Sequence, residues 1–188
     1  MKQNNIKYIM CAVLGLGLAG FSVSKAAAAG KEKPSPEVEA KITETLKAAF
    51  PEVVIKSMAK ETEDGLTFFA VDMTSKGEKI DADVTQDGTL VGTEQAVDIK
   101  NIPKPAAKAL KKATKGMKVI AYEIAKTYAE ADKNDKSGTK AVKLAEPTIA
   151  YDADVEKDGQ TGEFAAGADG TILESPKWAK SASKEDKD

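Results

Sequence analysis

Apolar residues recur at Val38, Ile42, Leu46, Ala49 and Phe50, spaced by four and three, which lays one apolar stripe along a helix. Ser35-Pro36-Glu37 supplies its start: a serine cap, a proline where the missing N–H is harmless, and an acid beside the positive helix end. Pro51 disfavours helical geometry at Phe50, so the helix should stop there. The period then drops to two. Val53, Ile55, Ser57 and Ala59 alternate with Lys56, Met58 and Lys60. Phe69, Val71 and Met73 alternate with Phe68, Ala70 and Asp72, and Ile80, Ala82 and Val84 with Lys79, Asp81 and Asp83. Asp64-Gly65, Lys76-Gly77 and Asp87-Gly88 separate these runs as tight-turn pairs, and Thr89 to Glu94 closes the set. The pattern predicts one helix and four short antiparallel strands over residues 36–98.

The second half repeats this order. Pro103 to Lys115 reads as a helix with Ala106, Leu110 and Ala113 on its buried stripe, followed by strand-like sequence from Met117 to Glu130. A slide of 82 positions puts Phe69 on Tyr151, Asp72 on Asp154, Gly77 on Gly159 and Asp87-Gly88-Thr89 on Asp169-Gly170-Thr171. The helices align at a slide of 64, Leu46 on Leu110. An internal duplication explains the coincidence. The two slides differ by 18 residues, expected as an insertion near 126–147 of a second module spanning 99–176.

The front of the chain alters the picture. Lys2 and Lys7 precede an apolar run from Tyr8 to Val23, and Ala26 to Ala29 follow, the order of a secretory signal peptide. The run is shorter than the roughly 20 residues that a spanning helix needs. Residues 1–29 are therefore expected to be a cleaved signal, residues 30–35 a spacer and residues 177–188 a disordered tail, which makes the mature chain secreted or periplasmic and free of the membrane. Cys11, the sole cysteine, would leave with the signal, so packing rather than disulfides holds the mature chain. The signal also removes three lysines. The 28 basic and 30 acidic residues become 25 and 30, a net charge of −5 that argues against a nucleic-acid partner.

The sequence has no histidine. Nucleophilic catalysis of the serine or cysteine kind lacks its proton acceptor, zinc lacks its usual ligands, and no glycine-rich phosphate loop stands outside the signal. The expectation is a non-catalytic chain with no cofactor and no resident metal. Calcium is the serious metal alternative. In Asp81 to Gly88 the third acid comes two positions late; in Asp132 to Glu146, Lys136 takes an oxygen-ligand position and Ser137 the glycine position. A cation- or small-ligand-binding envelope protein is therefore the second hypothesis.

The leading hypothesis concerns the sheet face turned away from the helix. It carries Lys56, Phe68, Asp72, Asp81 and Asp83 in the first copy and Asp152, Asp154 and Glu163 in the second. An antiparallel sheet covered on one side leaves such a face open to an extracytoplasmic protein. The competing description is a solvated sheet with ion pairs worth at most about 1 kcal/mol each. Trp178 is either a hot-spot anchor or a cap over the sheet end.

A helix ending in Leu46-Lys47-Ala48-Ala49-Phe50-Pro51, a strand, a glycine turn, an aromatic-containing strand and a closing Asp-Gly-Thr-Leu or Asp-Gly-Thr-Ile together resemble the PepSY-like family. More closely, the pair resembles the secreted tandem group described as beta-lactamase-inhibitor-like. The resemblance covers residues 36–175. It implies an α+β fold of two tandem modules, each one helix on a four-stranded antiparallel sheet, with a protein-binding or inhibitory role. The insertion around Asp132 to Gly138 departs from the family pattern.

Overall fold

The computed structural model describes residues 32–63 and 65–180. The expected signal, residues 1–29, lies outside the described residues, as does the tail beyond Lys180. The fold is α+β, with two α-helices and nine strands among the described residues. Strands β1 (Val54–Glu63), β2 (Leu66–Ser75), β3 (Glu78–Val84), β4 (Leu90–Ala96), β5 (Lys118–Ala131), β6 (Ala141–Lys157), β7 (Gln160–Ala166) and β8 (Ile172–Glu174) follow one another along the sheet in chain order. Strand β9 (Ala179–Lys180) pairs with β7, and every described ladder is antiparallel. Order therefore extends further than expected: Lys180, placed by sequence in a disordered tail, pairs with Gln160.

The chain divides into two compact units. Among the described residues the first contains 32–63, 65–94 and Lys126–Thr148. Its helix α1 (Pro36–Ala49) begins as the sequence requires: Ser35 Oγ accepts from Val38 N at 3.4 Å, and Phe50 turns to extended geometry before Pro51. Ile42 and Leu46 of α1 are fully buried against Phe69, Val71, Met73, Ile80, Ala82 and Val84. The alternation of β2 and β3 is thus the expected one.

That of β1 is not. A bulge between Ile55 and Ser57 leaves Lys56 as an extra residue, so Ile55 faces Met73 but Met58 faces Val71. One added residue inverts the alternation beyond it. Met58 packs toward α1, and Ser57 and Ala59 turn to the other side.

On that other side Leu66, Phe68, Ala70 and Val91 form a second cluster, with Ala131 and Ala141 packed against it. These two alanines come from the end of β5 and the start of β6. The insertion expected near 126–147 of the second module thus falls in Lys126–Thr148 of the first unit. Its connecting loop is pinned by Thr67 N donating to Gly138 O at 2.6 Å. Asp135 organises the loop from within, accepting from the backbone N–H groups of Ser137, Thr139 and Lys140 at 2.8–3.0 Å.

Among the described residues the second unit holds Gln95–Ala125 and 149–180. Helix α2 (Lys104–Ala113) buries Ala106 and Leu110 against Ala153, Val155, Phe164 and Ala166. Turn and bulge positions recur between the units. Lys76-Gly77 and Asp158-Gly159 both have positive φ throughout. The ladders shift register at Asp83/Val84 and again at Ala165/Ala166. Gly88 lies against Lys41 and Thr45 of α1, and Gly170 lies against Pro105 of α2.

Candidate functional site: a carboxylate cluster in the second unit

The β2–β3 ladder sets Asp72 opposite Asp81 in the first unit. Lys79 serves both, its Nζ 3.6 Å from Asp72 Oδ1 and 3.2 Å from Asp81 Oδ2. Ser57 Oγ adds a hydrogen bond to Asp72 Oδ2 at 3.2 Å, an arrangement allowed by the Lys56 bulge. Burial raises the Asp81 carboxyl, and its hydrogen bond with Asp72 raises it further. Burial acts the same way on Asp72, but the Asp81 hydrogen bond, Lys79 and Ser57 outweigh it and hold Asp72 low. This pair carries its own cation.

The remaining residues singled out in the first unit are scattered. Lys56 is exposed at the bulge, and Asp83 is almost fully buried opposite Gly92. Phe68 needs a correction. Expected on an open docking face, it is 3% exposed, because the hairpin bearing Ala131 and Ala141 packs over its part of the sheet. Phe68→Ala should therefore lower stability by about 3–5 kcal/mol in urea denaturation. A residue that served only for docking would leave the midpoint unmoved.

The second unit concentrates its acids. Residues of β6 alternate, with Ala153 and Val155 toward α2 and Asp152 and Asp154 away from it. Asp154 stands opposite Glu163, and Asp152 opposite Ala165, which in turn pairs with Glu174. Glu123 of β5 completes the group electrostatically, acting on both Asp152 and Glu163. Asp152 is 4% exposed and its Oδ1 has no hydrogen-bond partner. Asp154 and Glu163 are half-buried.

Burial, then Glu123, Asp154 and Glu174, push the Asp152 carboxyl up to about 8. Burial alone takes Asp154 to about 7. For Glu163, burial followed by Asp152, Asp154, Glu123 and Glu174 gives about 9. No salt bridge among the described residues engages any of these three. Glu156, two residues beyond Asp154 on β6, is paired with Lys118 at 2.8 Å.

Asp152, Asp154 and Glu163, singled out by strand phase, thus come together. Strand phase did not pick out Glu123 or Glu174. The signal that could have found Glu174 was the slide of 82, which turns Gly92 into Glu174, Ala70 into Asp152 and Lys79 into Thr161. Trp178 belongs elsewhere. It is 37% exposed and its ring covers Gly162, which points to the α2 side, away from the acids.

The candidate calcium loops use their oxygens locally. Asp87 Oδ1 accepts from Thr89 N at 3.1 Å and Asp135 is committed to its own loop. Among the described residues no three acids are grouped to hold a metal ion.

Two crystal structures are similar to this chain in fold. One, a protein described as periplasmic from Bacteroides eggerthii, is 12% identical with a TM-score of 0.53, covering 79% of this chain and 91% of its own. The other is a BLIP-like protein from Bacteroides fragilis, 15% identical with a TM-score of 0.50, covering 82% of this chain and 93% of its own. The fold is BLIP-like. No protein-family model and no curated protein matches the chain. At these identities the BLIP-like likeness is one of scaffold, and function must come from the site.

Proposed function

We propose that this chain is an exported, non-catalytic binding protein that engages an extracytoplasmic protein through the acidic sheet face of its second unit. One observation carries the reading: Asp152, Asp154 and Glu163 share one face, and no salt bridge among the described residues neutralises them. Export is supported by the signal-like start, by periplasmic and BLIP-like fold neighbours, and by the lack, among described residues, of a helix long and apolar enough to cross a membrane. Secreted or periplasmic placement follows.

Binding is favoured over catalysis by the missing histidine and by the direction of the carboxyl shifts. Acid–base work by a carboxylate pair needs one group held ionised beside one held protonated. Asp152, Asp154 and Glu163 are all pushed the same way; the one pair whose shifts diverge, Asp81 raised and Asp72 lowered, is bridged by Lys79.

The two units are read as copies of one PepSY-like module. Supporting this, the positive-φ turn, the register shift and the Asp-Gly-Thr loop recur 82 residues apart, while the helix contact of that loop moves from Lys41 to Pro105, the slide of 64. The inhibitor-like role is the same reading carried to its partner.

The test is retention from envelope and culture fractions on the immobilised chain from Gly30 onward. An Asp152→Asn, Asp154→Asn, Glu163→Gln variant with an unchanged circular dichroism spectrum serves as control. The expected result is a protein held by the wild type and bound at least about tenfold more weakly by the variant. Retention indifferent to the three neutralisations would overturn the proposal.

A further inference from the structure

We infer that the carboxylate cluster of the second unit is a socket for an arginine side chain of the protein partner. The inference rests on the binding function proposed above and names the chemistry of the contact. Its basis is the difference between two equivalent places. In the first unit the cross-strand pair Asp72/Asp81 is bridged by Lys79 from within the chain. In the second unit the equivalent pair is Asp154/Glu163, but Thr161 stands where the lysine would be. Lysine is lost while Asp152 is gained beside the pair.

The Asp152 carboxylate points to a ligand independently of the acid count. It is more than nine-tenths buried, and its Oδ1 meets no donor. A buried acceptor left unmade costs about 1–3 kcal/mol, more when charged, so an incoming donor gains most at this atom. Half-buried Asp154 and Glu163 give the approach from solvent.

The shape of the cluster selects the cation. Calcium draws its oxygens to about 2.3–2.6 Å from one point. The backbone positions of these acids follow the ladder: Asp152 and Asp154 are two residues apart on β6, about 6.6 Å along the strand, and Glu163 is the cross-strand partner of Asp154. No three acids of the described residues are grouped for a metal. A guanidinium has five donors in a plane and can serve two carboxylates at once, whereas an ammonium is a single point of charge. An arginine therefore fits this spread.

Entry of a fixed positive charge should also expel protons. The groups facing the socket are Asp152 and Asp154 from β6, Glu163 from β7, Glu123 from β5 and Glu174 from β8, and Glu156, next along β6, is paired with Lys118. Near neutral pH the first three retain protons, which a bound guanidinium would displace.

The experiment titrates the full mature chain with N-acetyl-arginine amide by calorimetry, in two buffers of different ionisation enthalpy at neutral pH. The uncharged citrulline amide and calcium chloride form separate arms. Saturable millimolar binding of the arginine compound is expected, with proton release and no binding of the citrulline compound. Asp152→Asn and Glu163→Gln should each weaken it by about tenfold. Thr161→Lys, which puts a lysine at the position equivalent to Lys79, should abolish it; Thr161 is 5% exposed, so an unchanged circular dichroism spectrum is required of this variant.

Absence of saturable arginine binding, or binding unaffected by Thr161→Lys, would overturn the socket. So would tight calcium binding lost in the same variants, which would make the cluster a metal site. A partner retained by the wild type and lost by the triple variant, without arginine binding, removes the socket and leaves the binding function standing. Arginine binding with no retained partner does the reverse.

Discussion

Raising the pH from about 5 to about 9 should destabilise the folded chain by on the order of 5 kcal/mol, measured as a falling urea midpoint. Asp152, Asp154 and Glu163, buried and crowded together, keep their protons in the folded state until about 8, 7 and 9. The unfolded chain releases the same protons near pH 4. Between these limits the folded state binds more protons than the unfolded one, so stability falls as pH rises. Below about pH 4 both states are protonated and the three groups contribute no slope.

A tenfold gain in a carboxyl's proton affinity on folding is worth about 1.4 kcal/mol, but mutual repulsion is shared among the three, so their contributions do not add in full. Asp72, Asp87, Asp135 and Asp169 work in the opposite sense. Their carboxyls are lowered by hydrogen bonds or by Lys79, and the stability they confer is lost in acid. Maximum stability should therefore lie near pH 5. Asp152→Asn and Glu163→Gln should each flatten the alkaline limb. A profile level from about pH 5 to 9, or one that the neutral variants leave unchanged, would contradict the crowded cluster.

Gly170→Ala should be among the most damaging single substitutions, lowering stability by more than about 3 kcal/mol. Gly170 has a φ of +85°, which favours glycine, and a Cβ there would lie 2.8 Å from the Pro105 carbonyl oxygen and 2.9 Å from its carbon. These are backbone atoms of α2 that cannot swing away. Gly159→Ala is the control: φ is +73°, yet nothing lies within 4 Å, so the loss should be only about 1 kcal/mol. Gly88→Ala should fall between, its nearest contact being the Thr45 hydroxyl at 3.1 Å. Urea denaturation of the three variants gives the order. Equal losses at Gly170 and Gly159 would mean that the helix and the closing turn do not approach closely.

The features legible in sequence are the local ones. Ser35-Pro36 and Phe50-Pro51 bound α1 because capping and proline sterics act within a turn. The phases of β2 and β3 follow from alternation, since each is flanked by tight turns that fix its register.

What escaped depends on partners distant in the chain. The Lys56 bulge is a mismatch between two strands, invisible in either alone. Ala131 and Ala141 carry no pattern announcing that they pack against the cluster of Phe68. The acid cluster was half visible. Strand phase found Asp152, Asp154 and Glu163, whereas Glu123 joins only through the path of β5. The exchange of Lys79 for Thr161 is present in the sequence, and it acquires meaning once Asp154 and Glu163 are seen paired as Asp72 and Asp81 are.

The most direct measurement is a carbon-detected NMR titration of the side-chain carboxyls of the mature chain, alone in solution. Midpoints near or above neutrality are expected for Asp152, Asp154 and Glu163, with a downward shift for Glu163 in Thr161→Lys. Midpoints for all three in the ordinary carboxylate range, near 4, would mean that the charges are already neutralised or solvated, and the second unit would have no vacancy for a cation.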